Sequence, residues 1–379
     1  MKCYLDNAAT TSLCEEMKSY LISILDVFGN PSSSHSEGVK SRRLIENTRS
    51  IVAQFINANN TDEIYFTSSG SSSNTLALNG YILENNCRVL YSPTCHKSIL
   101  KAVDILSKKN SSDSYRLCVN EYGEIDFQDL EFKLQQDCKK TLVVFEYANS
   151  EIGTIQDVKA IVELVHRYNG KVMVDCTGSI SSIPLNVREL DIDIATFSGH
   201  KIGALKGVGV LYKKADIELY PLIFGSQEHG LFGGTENVIG IASVGKAIEL
   251  LKYENSTARD YVWDSISNIE NIRLIGAKLD KNRLINNLYV CIDGVNGQEL
   301  VCLMDDLYDI QISTGSACNN GEAVPSSILL TIGIPQKDIY SCIRVSFKGN
   351  ETKCKLMDFC ENLRICIDML RKTRRISYD

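Results

Sequence analysis

Lysine is usually a solvated surface residue, and it becomes a nucleophile only where its surroundings depress its pKa. Lys201 has a setting of that kind. It closes Ser198-Gly199-His200-Lys201, immediately after the apolar run Asp193-Ile194-Ala195-Thr196-Phe197. At the wall of a partly desolvated pocket such an amine can form a Schiff base with a carbonyl. Two more features stand at the ends of neighbouring runs. Glu63-Ile64-Tyr65-Phe66-Thr67 leads into Ser68-Ser69-Gly70-Ser71-Ser72-Ser73-Asn74, and a helical apolar pattern starts at Leu76. A Gly/Ser loop that opens a helix offers N–H groups, hydroxyls and a positive dipole end, which together make a phosphate cradle. A plain serine N-cap is the alternative. No Gly-Lys-Ser/Thr follows, so the loop is not of the Walker type. Lys171-Val172-Met173-Val174-Asp175 ends in a carboxylate that can pair with a cationic ring nitrogen or cap the next helix.

Three further residues carry chemistry. His96, in Thr94-Cys95-His96-Lys97, can stack on a planar cofactor, transfer a proton, or cap a helix. Arg344, inside Cys342-Ile343-Arg344-Val345-Ser346, reads as a bidentate carboxylate ligand or as half of a structural salt bridge. Cys318 lies in Ser313-Thr314-Gly315-Ser316-Ala317-Cys318-Asn319-Asn320-Gly321, where no bulky apolar residue surrounds it. An exposed thiol near cations is nucleophilic, although a surface cysteine can also be incidental.

These residues need a frame. Short apolar runs at 63–67, 88–91, 141–145, 171–175, 193–197 and 209–212 read as strands buried on both faces. Val158, Ile161, Val162 and Val165 mark one face of an intervening helix. Strands alternating with helices imply an α/β layer fold with a mainly parallel sheet. In such sheets ligands bind outside the carboxyl ends of the strands. Beyond about residue 255 the pattern changes to longer helices with strands at 287–292 and 342–346, which reads as a smaller α+β domain. Residues 4–11 are too few to fold alone and must pack on one of the two units.

The bulk composition excludes several classes. The net charge of −7 provides no electrostatic footprint for nucleic acid. The basic stretch 371–375 is short and suits a solvated helix end. No apolar run approaches a membrane span. The 14 cysteines are scattered singly, without zinc-ligand spacing or a secretory leader, which points to a reducing, cytoplasmic compartment and no metal.

In sequence order these motifs resemble the NifS/IscS-type cysteine desulfurases of the class V aminotransferase group. The likeness runs from Tyr4 to about Lys348. It takes in Leu5–Thr11, Phe28-Gly29-Asn30-Pro31-Ser32-Ser33, the Phe66–Asn74 loop, Thr94–Lys97, Glu151-Ile152-Gly153, Val174–Thr177, Ser198–Lys201, Gly234-Thr235-Glu236-Asn237, Ser313–Cys318 and Ile343–Ser346. The spacing of the cysteine loop is similar to the longer-loop subgroup, which delivers sulfur to acceptor proteins.

The resemblance implies the type I fold of pyridoxal phosphate (PLP) enzymes. This has a large domain whose mainly parallel, seven-stranded-type sheet is sandwiched by helices, plus a smaller α+β domain. It divides the chain into 13–255, the cofactor domain, and 1–12 with 256–379, the domain carrying the cysteine loop. Lys201 would hold PLP as a Schiff base, Asp175 would keep the pyridine nitrogen protonated, and His96 would stack on the ring. Gly70, Ser71, Ser198 and His200 would hold the phosphate, with Thr235 supplied by the second subunit of a homodimer. Ser150 would stand at a cofactor contact, and Asn149 and Arg344 at the substrate. Cys318 would take sulfur from L-cysteine as a persulfide for an acceptor protein, and alanine would leave. Iron–sulfur clusters, tRNA thiolation, DNA phosphorothioation and cofactor sulfuration all draw on such a donor.

Five positions depart from the family pattern. Ser150 replaces an asparagine, Gly178 a glutamine that bonds the PLP phenolic oxygen, and Ser72 a glutamate. His229 and Phe232 replace arginines. These losses keep two other readings open. One is a PLP lyase or aminotransferase for another amino acid, selenocysteine included. The other is a weakly catalytic binding or assembly subunit.

Overall fold

A computed structural model describes residues 3–108, 113–136, 139–253, 257–315 and 325–376, without the side chains of 374–376. The described residues form twelve strands: β1 (Cys3–Tyr4), β2 (Ile64–Thr67), β3 (Arg88–Tyr91), β4 (Ser114–Arg116), β5 (Thr141–Glu146), β6 (Lys171–Asp175), β7 (Ile194–Ser198), β8 (Gly209–Lys213), β9 (Ile272–Leu274), β10 (Asn287–Ile292), β11 (Ile310–Gln311) and β12 (Cys342–Ser346). Seven of them form one sheet in the order β2-β8-β7-β6-β5-β3-β4. Only β8 runs against its neighbours; β7, β6, β5, β3 and β4 pair in parallel. Because β8 opposes both β2 and β7, the carboxyl ends of β2, β3, β5, β6 and β7 share one edge. The fold is the expected mainly parallel α/β type.

The residues account for this arrangement. β5 (Thr-Leu-Val-Val-Phe-Glu) and β7 are buried along their whole length and β6 nearly so, as helices on both faces require. The helix Val158–Arg167 turns Val158, Ile161, Val162 and Val165 inward, and Asp157 caps it by accepting the Ala160 N–H. One apolar core packs on one face of the sheet, with Phe145, Val174 and Phe197 among its members. A second packs on the other face, with Val144, Met173 and Leu211. β12-β10-β9 form an antiparallel three-stranded sheet with a core of its own, which includes Leu288, Val290, Ile343 and Phe359.

Three differences from the sequence reading stand out. β7 begins one residue late, at Ile194, because Asp193 is occupied in ion pairs with His166, Lys171 and Lys214. β4 carries partly exposed residues and has no apolar signature. The N-terminal segment packs on both units rather than one. β1 pairs with β11, and Asn7 Nδ2 donates to the Ser346 carbonyl at 3.0 Å. Ala8 and Ala9 meet Lys201.

One buried ion pair ties the sheet's rim together. Arg49, on the helix Ser36–Phe55, donates to both Glu228 carboxylate oxygens at 2.9 and 3.0 Å and to the Ile64 carbonyl at 2.6 Å. Glu228 also accepts the Phe66 N–H at 2.8 Å. Removing one partner of such a pair strands a buried charge. Glu228→Ala is therefore expected to lower stability by about 3–5 kcal/mol, read as a reduced urea midpoint. An unchanged midpoint would show that the pair is dispensable.

Candidate active site

The strand ends bring the predicted residues to one edge of the sheet. β2 runs on through Ser68 to Ser69, whose hydroxyl accepts the Ser72 N–H at 3.1 Å and so caps the helix Gly70–Asn85. The capping and cradle readings are therefore compatible. A Cβ at Gly70 would lie 3.1 Å from Ser198 Cβ and 3.4 Å from Thr177 Oγ1, so glycine leaves a gap between this helix start and the end of β7. Thr177 Oγ1 is buried and has no hydrogen-bond partner. An orphaned hydroxyl beside a helix N-terminus fits an anionic phosphate.

Asp175, the last residue of β6, is buried. It accepts from Asn74 Nδ2 at 2.8 Å and from the Thr177 N–H at 2.9 Å. Asn74 accepts the Thr196 hydroxyl at 2.5 Å and donates to Ser98 Oγ at 3.2 Å. Ser98 Oγ in turn meets His96 Nδ1 at 2.8 Å. A continuous polar chain therefore runs from His96 to Asp175. The His96 ring is exposed in the single chain. Partial burial lowers its pKa; Lys201 and Lys97 push the same way, and Asp175 opposes them.

Lys201 lies in the short turn Gly199–Ile202. Its ammonium donates to the Ala8 carbonyl and, at 3.0 Å, to that of Ala9. Burial, helped by the Arg344 charge, lowers its pKa to about 8 against the pull of Asp6 and Asp175. His200 Nδ1 meets Thr10 Oγ1 at 3.1 Å. Burial first, then Lys201 and Lys206, push His200 down to about 4, so its ring is neutral near pH 7.

Arg344 is buried on β12. One nitrogen pairs with Asp6 at 2.7 Å and a second donates to the Ser150 carbonyl at 3.1 Å, while Nε has no partner. The structural salt bridge is real, and a donor is still left over. Backbone bonds of 3.1 and 2.6 Å join Ser313 to Arg344, and Tyr289 donates to the Thr314 carbonyl at 3.0 Å. The start of the cysteine loop is thus fastened beside Arg344. Cys318 itself lies outside the described residues.

Asn149 is buried and fully engaged. It donates to the Thr94 carbonyl at 3.1 Å and to Glu146 at 2.5 Å, and accepts the N–H groups of Glu151 and Ile152. Thr235 is not brought to Lys201. It is exposed in a recess with Phe66, Ser68 and Phe232. Among the departures, Gly178 is enforced sterically, because a Cβ there would lie 2.4 Å from the Ala148 carbonyl oxygen. Ser72 bonds Ser68 and Ser69, Phe232 packs against an apolar core, and His229 stands edge-on to Tyr65.

Sequence reasoning missed two residues. Glu146 is buried at the end of β5, opposite Asp175 in register; burial first, with Asp175 adding, pushes it up to about 8 while the Asn149 amide opposes. Its signal was a glutamate closing an apolar run. Asp6, the partner of Arg344, gave no local signal. Among the described residues no three His, Cys, Asp or Glu side chains cluster as a metal cage, and no helix is long and apolar enough to cross a membrane.

Comparison with known proteins extends the picture. The class-V aminotransferase family model matches residues 3–357. The cysteine desulfurase IscS of Dictyoglomus turgidum is 34% identical over 97% of this chain and 93% of its own. The solved NifS-like protein of Rickettsia africae is 28% identical, covers 97% of this chain and all of its own, and superposes with a TM-score of 0.87. A structure described as SspA in complex with cysteine is 27% identical, covers 93% of this chain and 100% of its own, and has a TM-score of 0.79.

The Lys201 pKa of about 8 predicts a labelling profile. Because the neutral amine is the reactive form, trinitrophenylation of Lys201 in the cofactor-free protein by trinitrobenzenesulfonate, with sulfite as the leaving group, should rise with pH and level off above about 8. Peptide mapping reads this directly. A rise that continues to the pH range of an ordinary lysine would contradict the depression.

Proposed function

The chain belongs to the cysteine desulfurase branch of the class-V aminotransferase family, and we propose that it converts L-cysteine to L-alanine with PLP held at Lys201 and sulfur kept as a persulfide on Cys318. The observation that carries this reading is the convergence of Lys201, Asp175, His96 and Arg344, close enough for their charges to perturb one another. The orphaned Thr177 hydroxyl supports the fit of a phosphate.

When bound, PLP supplies an electron sink for the bonds at the substrate's α-carbon. Gly70, Ser71, Ser198 and His200 hold its phosphate, with Thr235 reaching in from a second copy. Asp175, which accepts from two donors, would pair with the protonated ring nitrogen. His96 covers the ring face, and Ser150 flanks it. Lys201 attaches the cofactor and, as a partly neutral amine, moves a proton at the substrate's Cα. The free Nε–H of Arg344 takes the substrate carboxylate, while Asn149 fixes the loop whose Ser150 carbonyl orients that guanidinium. Cys318 attacks the substrate sulfur. A new S–S bond would form as the substrate's Cβ–S bond breaks; the electron pair stays with the carbon fragment, the proton given up by the Cys318 thiol is matched by one taken up at Cβ, and alanine is released.

The homodimer is supported by exposed Tyr220, Ile223 and Phe224 on the stretch that leads to Thr235, an apolar surface that a monomer seldom leaves bare. The free thiols among the described residues support a reducing cytoplasm. The separate core of the small sheet, which takes in Cys3, Leu5 and residues from 258 onward, supports the division into 13–255 and 1–12 with 256–379. The sulfur acceptor is a protein, not nucleic acid.

Purified protein supplied with L-cysteine and dithiothreitol should yield alanine and sulfide. Cys318→Ser should cut turnover by about 100-fold or more while L-cysteine still perturbs the cofactor's absorbance. Wild-type sulfur transfer by Cys318→Ser would overturn the persulfide assignment. Turnover of selenocysteine or another amino acid alone would favour the lyase reading. A protein that fails to retain PLP would favour the assembly-subunit reading.

A further inference from the structure

A cavity of about 320 Å³ opens beside the backbone of Lys201, Ile202 and Gly203, between the N-terminal segment and the small sheet. Asp175, His96, Ser71 and Arg344 do not line it. Its floor is apolar: Met17, Ile202, Ala247 and Leu250 come from the large unit's core, and Ala258 and Phe347 from the small one. Its rim is charged. Lys252 and Lys348 stand there; among the described residues neither ammonium lies within ion-pair distance of a carboxylate, and Lys252 acts on Glu16 through space only. Glu16 is the single acidic lining residue, and it is engaged by its own backbone N–H and by the Cys14 thiol. The lining thus holds three lysines against one glutamate.

A narrow gap of about 10 Å³ adjoins this cavity. It shares Asn7, Ser181, Lys201 and Asn286 with it and is walled by Ser150, Thr177 and Gly178. That is room for about one water molecule. Lys201 is therefore the common wall between the catalytic edge and the cavity. The volume is at the lower end of small-molecule sites, which run from about 300 to 1,000 Å³. An apolar floor under a rim in which lysines outnumber the one glutamate selects an apolar body with an anionic head.

We propose that this cavity binds a small organic anion of the medium-chain carboxylate class, its head on Lys252 and Lys348 and its body on Met17, Ile202, Leu250 and Phe347, and that occupancy alters the surroundings of Lys201. The ligand bridges the two apolar cores, so it bears on how the small unit sits over the carrier turn. Burying an anion near Lys201 favours the ammonium form and moves its titration to higher pH. The proposal does not depend on which amino acid the enzyme consumes.

The test uses the full chain with its cofactor and 8-anilinonaphthalene-1-sulfonate as the fluorescent probe. The expected result is one saturable site per chain, displaced by octanoate but not by octyltrimethylammonium. Lys252→Glu/Lys348→Glu should weaken the probe roughly tenfold while leaving basal turnover unchanged. Octanoate should also shift the Lys201 labelling profile of the cofactor-free protein to higher pH. Equal affinity in the double variant, displacement by the cation as readily as by octanoate, or non-saturable binding would overturn the site. An unmoved labelling profile would overturn its link to Lys201.

Discussion

A carboxylate buried at a strand end must be satisfied by hydrogen-bond donors, and the candidate active-site edge is built around that constraint at Asp175. Two donors meet it, Asn74 Nδ2 and the Thr177 N–H. Asn74 can reach because its helix starts where β2 ends, and Thr196, directly opposite Asp175 on β7, holds the Asn74 oxygen. Ser198, two residues further along β7, faces Gly70 at that same helix start. The anion, its donors and the phosphate cradle are therefore consequences of one register between β6 and β7.

The cationic side is arranged against this. Lys201 is crowded by Arg344 and relieved by Asp6 and Asp175, and its depressed pKa is the balance of these with burial. Arg344 is held by Asp6 from the N-terminal segment and by the Ser150 carbonyl from the β5 loop. The small sheet, the N-terminus and the large sheet meet on a single guanidinium. The backbone pairing of Arg344 with Ser313 passes that anchorage to the base of the cysteine loop.

The central strands were legible because they are buried on both faces, and an unbroken apolar run is the direct signature of such burial. Lys201, Asp175 and the 68–74 loop were legible because they interrupt or terminate those runs. β4 was not, since an edge strand of Ser114, Tyr115 and Arg116 has no periodicity to read. Asp6 was not, since its partner is 338 residues away and nothing near it in sequence announces the pair. Gly178 was read as the loss of a side chain. The fold adds that the approach of Ala148 excludes any side chain there, which sequence alone does not contain. The resemblance implies a substrate contact for Asn149; the fold adds that its amide bonds four local groups, a commitment visible only once the loop is closed.

The central claim is that Lys201, and no other lysine, carries the cofactor in this frame. Borohydride reduction of the purified holoprotein, followed by digestion and mass spectrometry, tests it most directly. One pyridoxyl group per chain is expected, on the peptide containing Lys201. A pyridoxyl group on Lys97 or Lys206, or none on a protein that nevertheless turns over L-cysteine, would contradict it.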